Sequence, residues 1–176
     1  MRLGLILAIT ILSSLANTQD NLQLPQWLTS AERKAIEKED KGKDQVEVLM
    51  EIASARLAMA RNNIASQQYE QAHSEIKNNG ALVAYTFSYI DALPKKDKEK
   101  QGIYKLFELK LRPNINNLES MRYELPEKYT DEANKVYEQV RKVREAALAK
   151  VFGKEFFQPK EGAQEQSPPS NNSQEE

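Results

Sequence analysis

His73 is the only histidine in the chain, and there is no cysteine. Most chemistry that residue types could signal must therefore pass through one imidazole. Glu70-x-x-His73 matches half of a carboxylate-bridged di-iron motif, which takes a Glu-x-x-His from each of two helices and two further glutamates. The second histidine does not exist, so that reading fails. No Gly-x-Ser-x-Gly elbow accompanies His73 either. A haem held between one methionine and one histidine survives longer. Met59 and His73 lie equally far from a turn centred near Ser66 and would face each other across a helical hairpin. The competing reading makes Met59 a core filler and leaves His73 in water at the edge of an apolar stripe. The lack of cysteine removes disulfides, thiolate metal sites and the lipid-modifiable thiol of an exported lipoprotein.

The carboxylates give no sharper signal. They alternate with lysines, as in Glu37-Lys38-Glu39-Asp40-Lys41, which is the pattern of a solvated helix face. None stands alone on an apolar stripe, where a raised pKa would suggest acid–base work. The net charge is −1 with both signs interspersed, unlike the basic stripe that phosphate neutralisation needs, so nucleic acid is not an expected partner. The residues point to no enzyme, no metal and no cofactor. Two aromatic and cationic groups stay open. Tyr85 and Tyr89 are one helical turn apart and off the stripe centre, so their hydroxyls are expected to reach solvent and could form a partner surface. Arg56, Arg61, Arg122, Arg141 and Arg144 either hold an anionic partner or pair with glutamates, and pairing is the preferred expectation.

The elements that would position these groups are helices. Val46, Leu49, Met50, Ala53, Leu57, Ala60 and Ile64 recur at three- and four-residue steps, predicting a helix over 44–66. Tyr69, Ala72, Ile76, Gly80, Val83, Phe87 and Ile90 do the same over 68–93, up to Pro94. Ile103, Phe107, Leu111, Ile115, Leu118 and Leu125 predict a third helix over 97–125, with a kink or a break at Pro113. A fourth, capped by Thr130 or Asp131, carries Ala133, Val136, Val140, Val143, Ala147 and Val151 and ends at Gly153. Ahead of them Thr29 and Glu32 have capping-box spacing and open a short charged helix. Gly80 lies on an apolar stripe, where glycine costs about 1 kcal/mol relative to alanine. A close helix crossing explains that better than a ligand cleft.

The turn Gln67-Gln68-Tyr69-Glu70-Gln71-Ala72 resembles the inter-helix turn of a tetratricopeptide repeat, and Lys128-Tyr129 with Ala133 stands in a similar place in the second hairpin. The family's period is 34 residues, whereas these two turns are about 60 residues apart and the helices are longer. The resemblance covers a few residues and amounts to shared turn chemistry, not membership.

At the N-terminus, Arg2, the apolar run Leu3 to Leu12 and the small residues Ser14 and Ala16 match a secretory signal cleaved before Asn17. The run falls short of the roughly 20 apolar residues that span a bilayer. Beyond Gln158 one lysine stands against four glutamates, with Pro168-Pro169, a composition expected to stay disordered. The expected organisation is a signal peptide (1–16), a lead-in with a short charged helix (17–43), an all-α antiparallel bundle of about four long amphipathic helices in two hairpins (44–157), and an acidic tail (158–176). Such a chain is expected to be exported, periplasmic or secreted, and to act as an interaction, scaffold or accessory protein whose partner is another protein. The alternative is a carrier of haem or a small apolar ligand between helices near Gly80 and His73.

Overall fold

The computed structural model describes residues 22–153. The signal peptide, the first residues of the lead-in and the acidic tail of the sequence reading lie outside the described residues. The described residues form five helices and no strand: α1 (Ser30–Lys38), α2 (Lys43–Ala65), α3 (Tyr69–Ala92), α4 (Asp97–Glu124) and α5 (Glu127–Phe152).

Local chemistry sets most of the boundaries. Thr29 and Glu32 form the expected capping box, with the Glu32 amide donating to Thr29 Oγ1 at 3.2 Å and the Thr29 amide to Glu32 Oε2 at 2.8 Å. Gly42 turns into α2 at φ 115°, a conformation open to glycine. Gly153, at φ 86°, takes the C-terminal position of α5. The start of α5 differs from the sequence expectation. The helix opens at Glu127 directly behind Pro126, not at Thr130 or Asp131. Proline fixes the extended entry, and Thr130 Oγ1 donates back to the carbonyls of Leu125 and Pro126 instead of accepting from an amide. Pro113 does not split α4, which runs unbroken through it. The ring sits on the exposed face, so the carbonyl that loses its donor can turn to water.

The predicted stripes meet in one core, which includes Leu49, Leu57, Ile76, Leu82, Ile90, Phe107, Leu111, Leu118 and Val140. Burying each such side chain stabilises by about 1.5–3 kcal/mol. Within each hairpin the helices are antiparallel: α2 packs on α3, and α4 on α5. The hairpins then stack in the same sense, α4 against α2 and α5 against α3. Like helices therefore run parallel. His73 meets Tyr129, Gly80 meets Val136, and Phe87 shares a groove with Val143, each pair 56 residues apart in sequence. Gly80 makes that stacking close, since a Cβ there would lie 2.7 Å from Val136 Cγ1.

Each seam also carries a polar tie. Asn79 Nδ2 donates to the Ala53 carbonyl at 2.8 Å, joining α3 to α2. Ser54 Oγ lies 3.0 Å from Asn114 Oδ1, joining α2 to α4. Arg144 reaches the buried Glu108 at 2.9 Å, joining α5 to α4. Lys150 meets Asp91 at 2.6 Å, joining α5 to α3. Directional bonds of this kind fix register where apolar stripes alone would slide.

Candidate functional site

His73 and Met59 do not come together. His73 points across the hairpin seam to the Tyr129 ring, with centroids 5.3 Å apart. Its Nε2 is buried without a hydrogen-bond partner. Burial, and then the Lys77 ammonium, hold its pKa below the ordinary histidine value, against the pull of Glu132 and Glu70. Met59 stands on the surface of α2, 39% exposed. An axial methionine–histidine pair is not assembled, because His73 is turned toward α5 rather than across the α2–α3 turn. Gly80 is filled by Val136, which is the close-crossing role and leaves no cleft at that point.

Tyr85 and Tyr89 do form a stacked pair, with rings 6.4 Å apart and 13° from parallel. Their hydroxyls are not free for solvent. Tyr85 Oη donates to the Leu22 carbonyl at 3.3 Å. Tyr89 Oη accepts from the Gly42 amide at 2.9 Å and donates to Gln45 Oε1 at 2.6 Å. Burial raises both phenol pKa values. The pair braces the N-terminal segment and the α1–α2 turn.

That bracing belongs to a larger device on the outer side of the first hairpin. On α3, Glu75, Leu82 and Tyr89 recur at seven-residue steps, as do His73, Gly80 and Phe87. The two sets are offset by two residues, which is about 200° around a helix. One set therefore faces the second hairpin, and the other faces away. The away-facing groove between α2 and α3 is closed by residues 22–38. Leu28 and Ile36 are buried there, and Arg33 ties the lead-in by donating to the carbonyls of Pro25 and Leu28. At the centre lies Arg56, only 8% exposed. It meets both Glu32 oxygens at 2.5 and 2.7 Å, reaches Glu75 at 3.2 Å and stacks 5.3 Å from the Trp27 ring. Burial pushes the Glu32 carboxyl up, but Thr29 and Arg56 more than offset it, and it titrates below the usual carboxylate range.

The outer groove of the second hairpin has the same ingredients and no covering segment among the described residues. Arg112 and Arg144 converge on Glu108, holding its carboxyl down against burial. Arg141 pairs with Glu138 and Glu145. Arg122 is different. Its guanidinium lies between two tyrosine rings, 4.5 Å from Tyr123 and 4.3 Å from Tyr137. It donates only to neutral oxygens, Asn134 Oδ1 at 3.2 Å and Tyr123 Oη at 2.5 Å. It is the arginine of this groove with no carboxylate partner among the described residues. Tyr123, 74% exposed, forms the outer wall.

No protein family, curated protein sequence or solved structure matches the chain. The site must be read from its own geometry.

The arginines thus divide. Arg56, Arg141 and Arg144 pair with glutamates as expected, and Arg61 bonds Asn117 at 3.4 Å. Arg61 and Arg122 thus have no carboxylate partner among the described residues, and of the two it is Arg122 that packs against aromatic rings, a difference that composition and spacing did not single out. Its signal in the sequence is the adjacent Arg122-Tyr123, one helix away from Tyr137.

Two surface cavities lie elsewhere on the bundle. An open apolar groove of about 470 Å³ between α3 and α5 is lined chiefly by Phe87, Val143 and Ala146 under a rim of Lys135, Glu138, Gln139 and Lys142. A smaller polar one of about 270 Å³, at the end of the bundle where α4 begins, holds Asp91, Lys100, Lys150 and Tyr104. There Asp91 already receives both lysines, Lys150 on its carboxylate and Lys100 on its carbonyl. Among the described residues no helix is long and apolar enough to cross a membrane, and no cluster of three or more His, Asp or Glu is placed to hold a metal ion.

Proposed function

We propose that this chain is an exported helical protein that works by contact, as an interaction or accessory component outside the cytoplasmic membrane. The N-terminal sequence, with its short positive start and apolar run, supports export. The observation that carries the contact reading is the Arg122–Tyr123–Tyr137 stack on the open side of the second hairpin. Arginine and tyrosine are enriched among the few residues that dominate binding at protein interfaces, and a rigid aromatic wall and a planar cation lose little freedom on binding. A protein whose task is docking needs such a wall ready-made on a rigid scaffold, and two stacked hairpins provide one.

Affinity capture of the mature chain from its native envelope or medium tests the reading. A specific partner protein, recovered in stoichiometric amount, supports it. Turnover of a substrate by the purified chain, or a stoichiometric haem seen as a Soret band, overturns it. The carrier reading keeps one observation in its favour, the apolar groove beside Phe87. An apolar dye bound there and displaced by Val143→Lys would favour that reading.

A further inference from the structure

Each hairpin presents an outer groove, and the first shows what such a groove can take. Residues 22–38 bring it a glutamate for a buried arginine, an aromatic ring for that arginine's face and two apolar side chains for the floor. The second groove displays a caged arginine whose ring partners come from the groove itself and whose carboxylate is missing. A cation held between aromatic faces is partly desolvated and pre-oriented, so an incoming carboxylate gains a charge-assisted bond without ordering the guanidinium first. We infer that the α4–α5 outer groove is a docking site for an acidic segment of a partner protein, which places a glutamate or aspartate on Arg122 and an apolar side chain against Tyr123.

The site rests on the contact reading above and narrows it to one surface and one class of partner. Charge favours this occupant. Arg112, Arg141 and Arg144 already have glutamate partners, whereas Arg122 donates only to neutral oxygens, so it is Arg122 that an incoming carboxylate would pair. Binding is therefore expected to weaken with salt, as for any exposed charge pair.

The test uses the full mature chain and a fluorescein-labelled amphipathic helical peptide bearing glutamates and one leucine, read by anisotropy at low salt. The same peptide with glutamine for glutamate is the comparison. Three results are expected together. The glutamate peptide binds, the glutamine peptide binds at least about tenfold more weakly, and Arg122→Gln loses about tenfold. Tyr123→Ala gives a second handle that cannot act through folding, since this side chain is largely in solvent. It should also weaken binding, whereas Arg61→Gln, on the α2–α4 side, should not. Equal binding by Arg122→Gln or by the glutamine peptide overturns the proposal. So does binding that emerges only after residues 154–176 are removed, which would make the chain's own C-terminal segment the occupant. A dimer of the native chain that dissociates in Arg122→Gln would make the occupant a second copy and equally overturn it. A native partner captured undiminished by Tyr123→Ala would overturn this surface while leaving the contact function standing.

Discussion

The outer sides of the two hairpins are built alike and used differently. Each has an arginine against an aromatic face, Trp27 of the covering segment for Arg56 and Tyr123 and Tyr137 of the groove itself for Arg122. On the first side the groove is closed by the chain itself, and Arg56 is buried with two glutamates. On the second side the groove is open, and Arg122 has rings but no carboxylate. The same residue type is thus a structural pin in one place and an unsatisfied recognition group in the other. Burial decides which. A guanidinium taken out of water must be compensated within the fold, whereas one left at the rim can wait for an outside anion.

The comparison can be broken most directly by deleting each cation. Arg56→Ala should cost about 3–5 kcal/mol, because it leaves Glu32 and Glu75 partly buried without their counter-charge. Arg122→Ala should cost less, about 1–2 kcal/mol, because it gives up two ring contacts and two bonds to neutral oxygens but strands no carboxylate. Chemical denaturation of both variants measures this, and equal losses would erase the distinction. In Arg56→Ala, residues 22–38 should also become the first site of proteolytic cleavage.

The seam that sets the hairpins side by side offers the next effect. Gly80→Ala would push a methyl group into Val136 Cγ1 at 2.7 Å and should destabilise by about 1–3 kcal/mol. Gly102→Ala, also inside a helix but with nothing within 4 Å, should stabilise by up to about 1 kcal/mol. Thermal melts of the two variants should move in opposite directions.

Acid should loosen the arginine-paired carboxylates of both sides. The folded-state pKa of Glu32 is depressed, so its stabilising contribution is present above the ordinary carboxylate value and is lost as pH falls through the folded value. Hydrogen exchange across residues 22–38 should therefore speed up at acid pH, as should exchange around the Glu108–Arg144 tie between α4 and α5, whose carboxyl is depressed in the same sense. Glu32→Gln should weaken that segment at neutral pH and remove this part of its acid response.

The smallest effect belongs to His73. Its folded pKa is also depressed, and for a histidine this means that the folded state holds fewer protons than the unfolded one. Stability should be full above the ordinary value of about 6.5 and should decline as pH falls below it, until the folded state is itself protonated. His73→Phe should flatten that slope in denaturation curves taken between about pH 5 and 7.

Much of the scaffold was legible in the residues. The stripes from Val46 to Val151 name the buried faces, the Thr29–Glu32 spacing names the first cap, and Gly80 names the close crossing. These signals are local, and a helix reports its own period. What spacing did not convey depends on relations between helices. Arg56 and Arg122 each stand beside an apolar stripe, and nothing in either stretch says that one will be covered by residues 22–38 and the other will not. The hydroxyls of Tyr85 and Tyr89 were expected in solvent because their own helix leaves them at the rim. The carbonyl of Leu22 and the amide of Gly42 that engage them come from elsewhere in the chain. The parallel stacking of like helices was equally invisible, since short turns specify only the neighbour within a hairpin. The start of α5 was misplaced because Thr130 looks like a cap, while the fixed φ of Pro126 had already begun the helix.

Site-resolved tyrosine modification tests the contrast between the two sides most directly. Mild iodination of the native purified protein, followed by peptide mass analysis, reports Tyr85, Tyr89 and Tyr123 in one experiment. The expected result is fast modification of Tyr123, slow modification of Tyr85 and Tyr89, and protection of Tyr123 alone when an acidic partner segment is added. Fast modification of Tyr85 and Tyr89, or a Tyr123 rate unchanged by that segment, would contradict the picture of one groove closed by the chain and one left open for a partner.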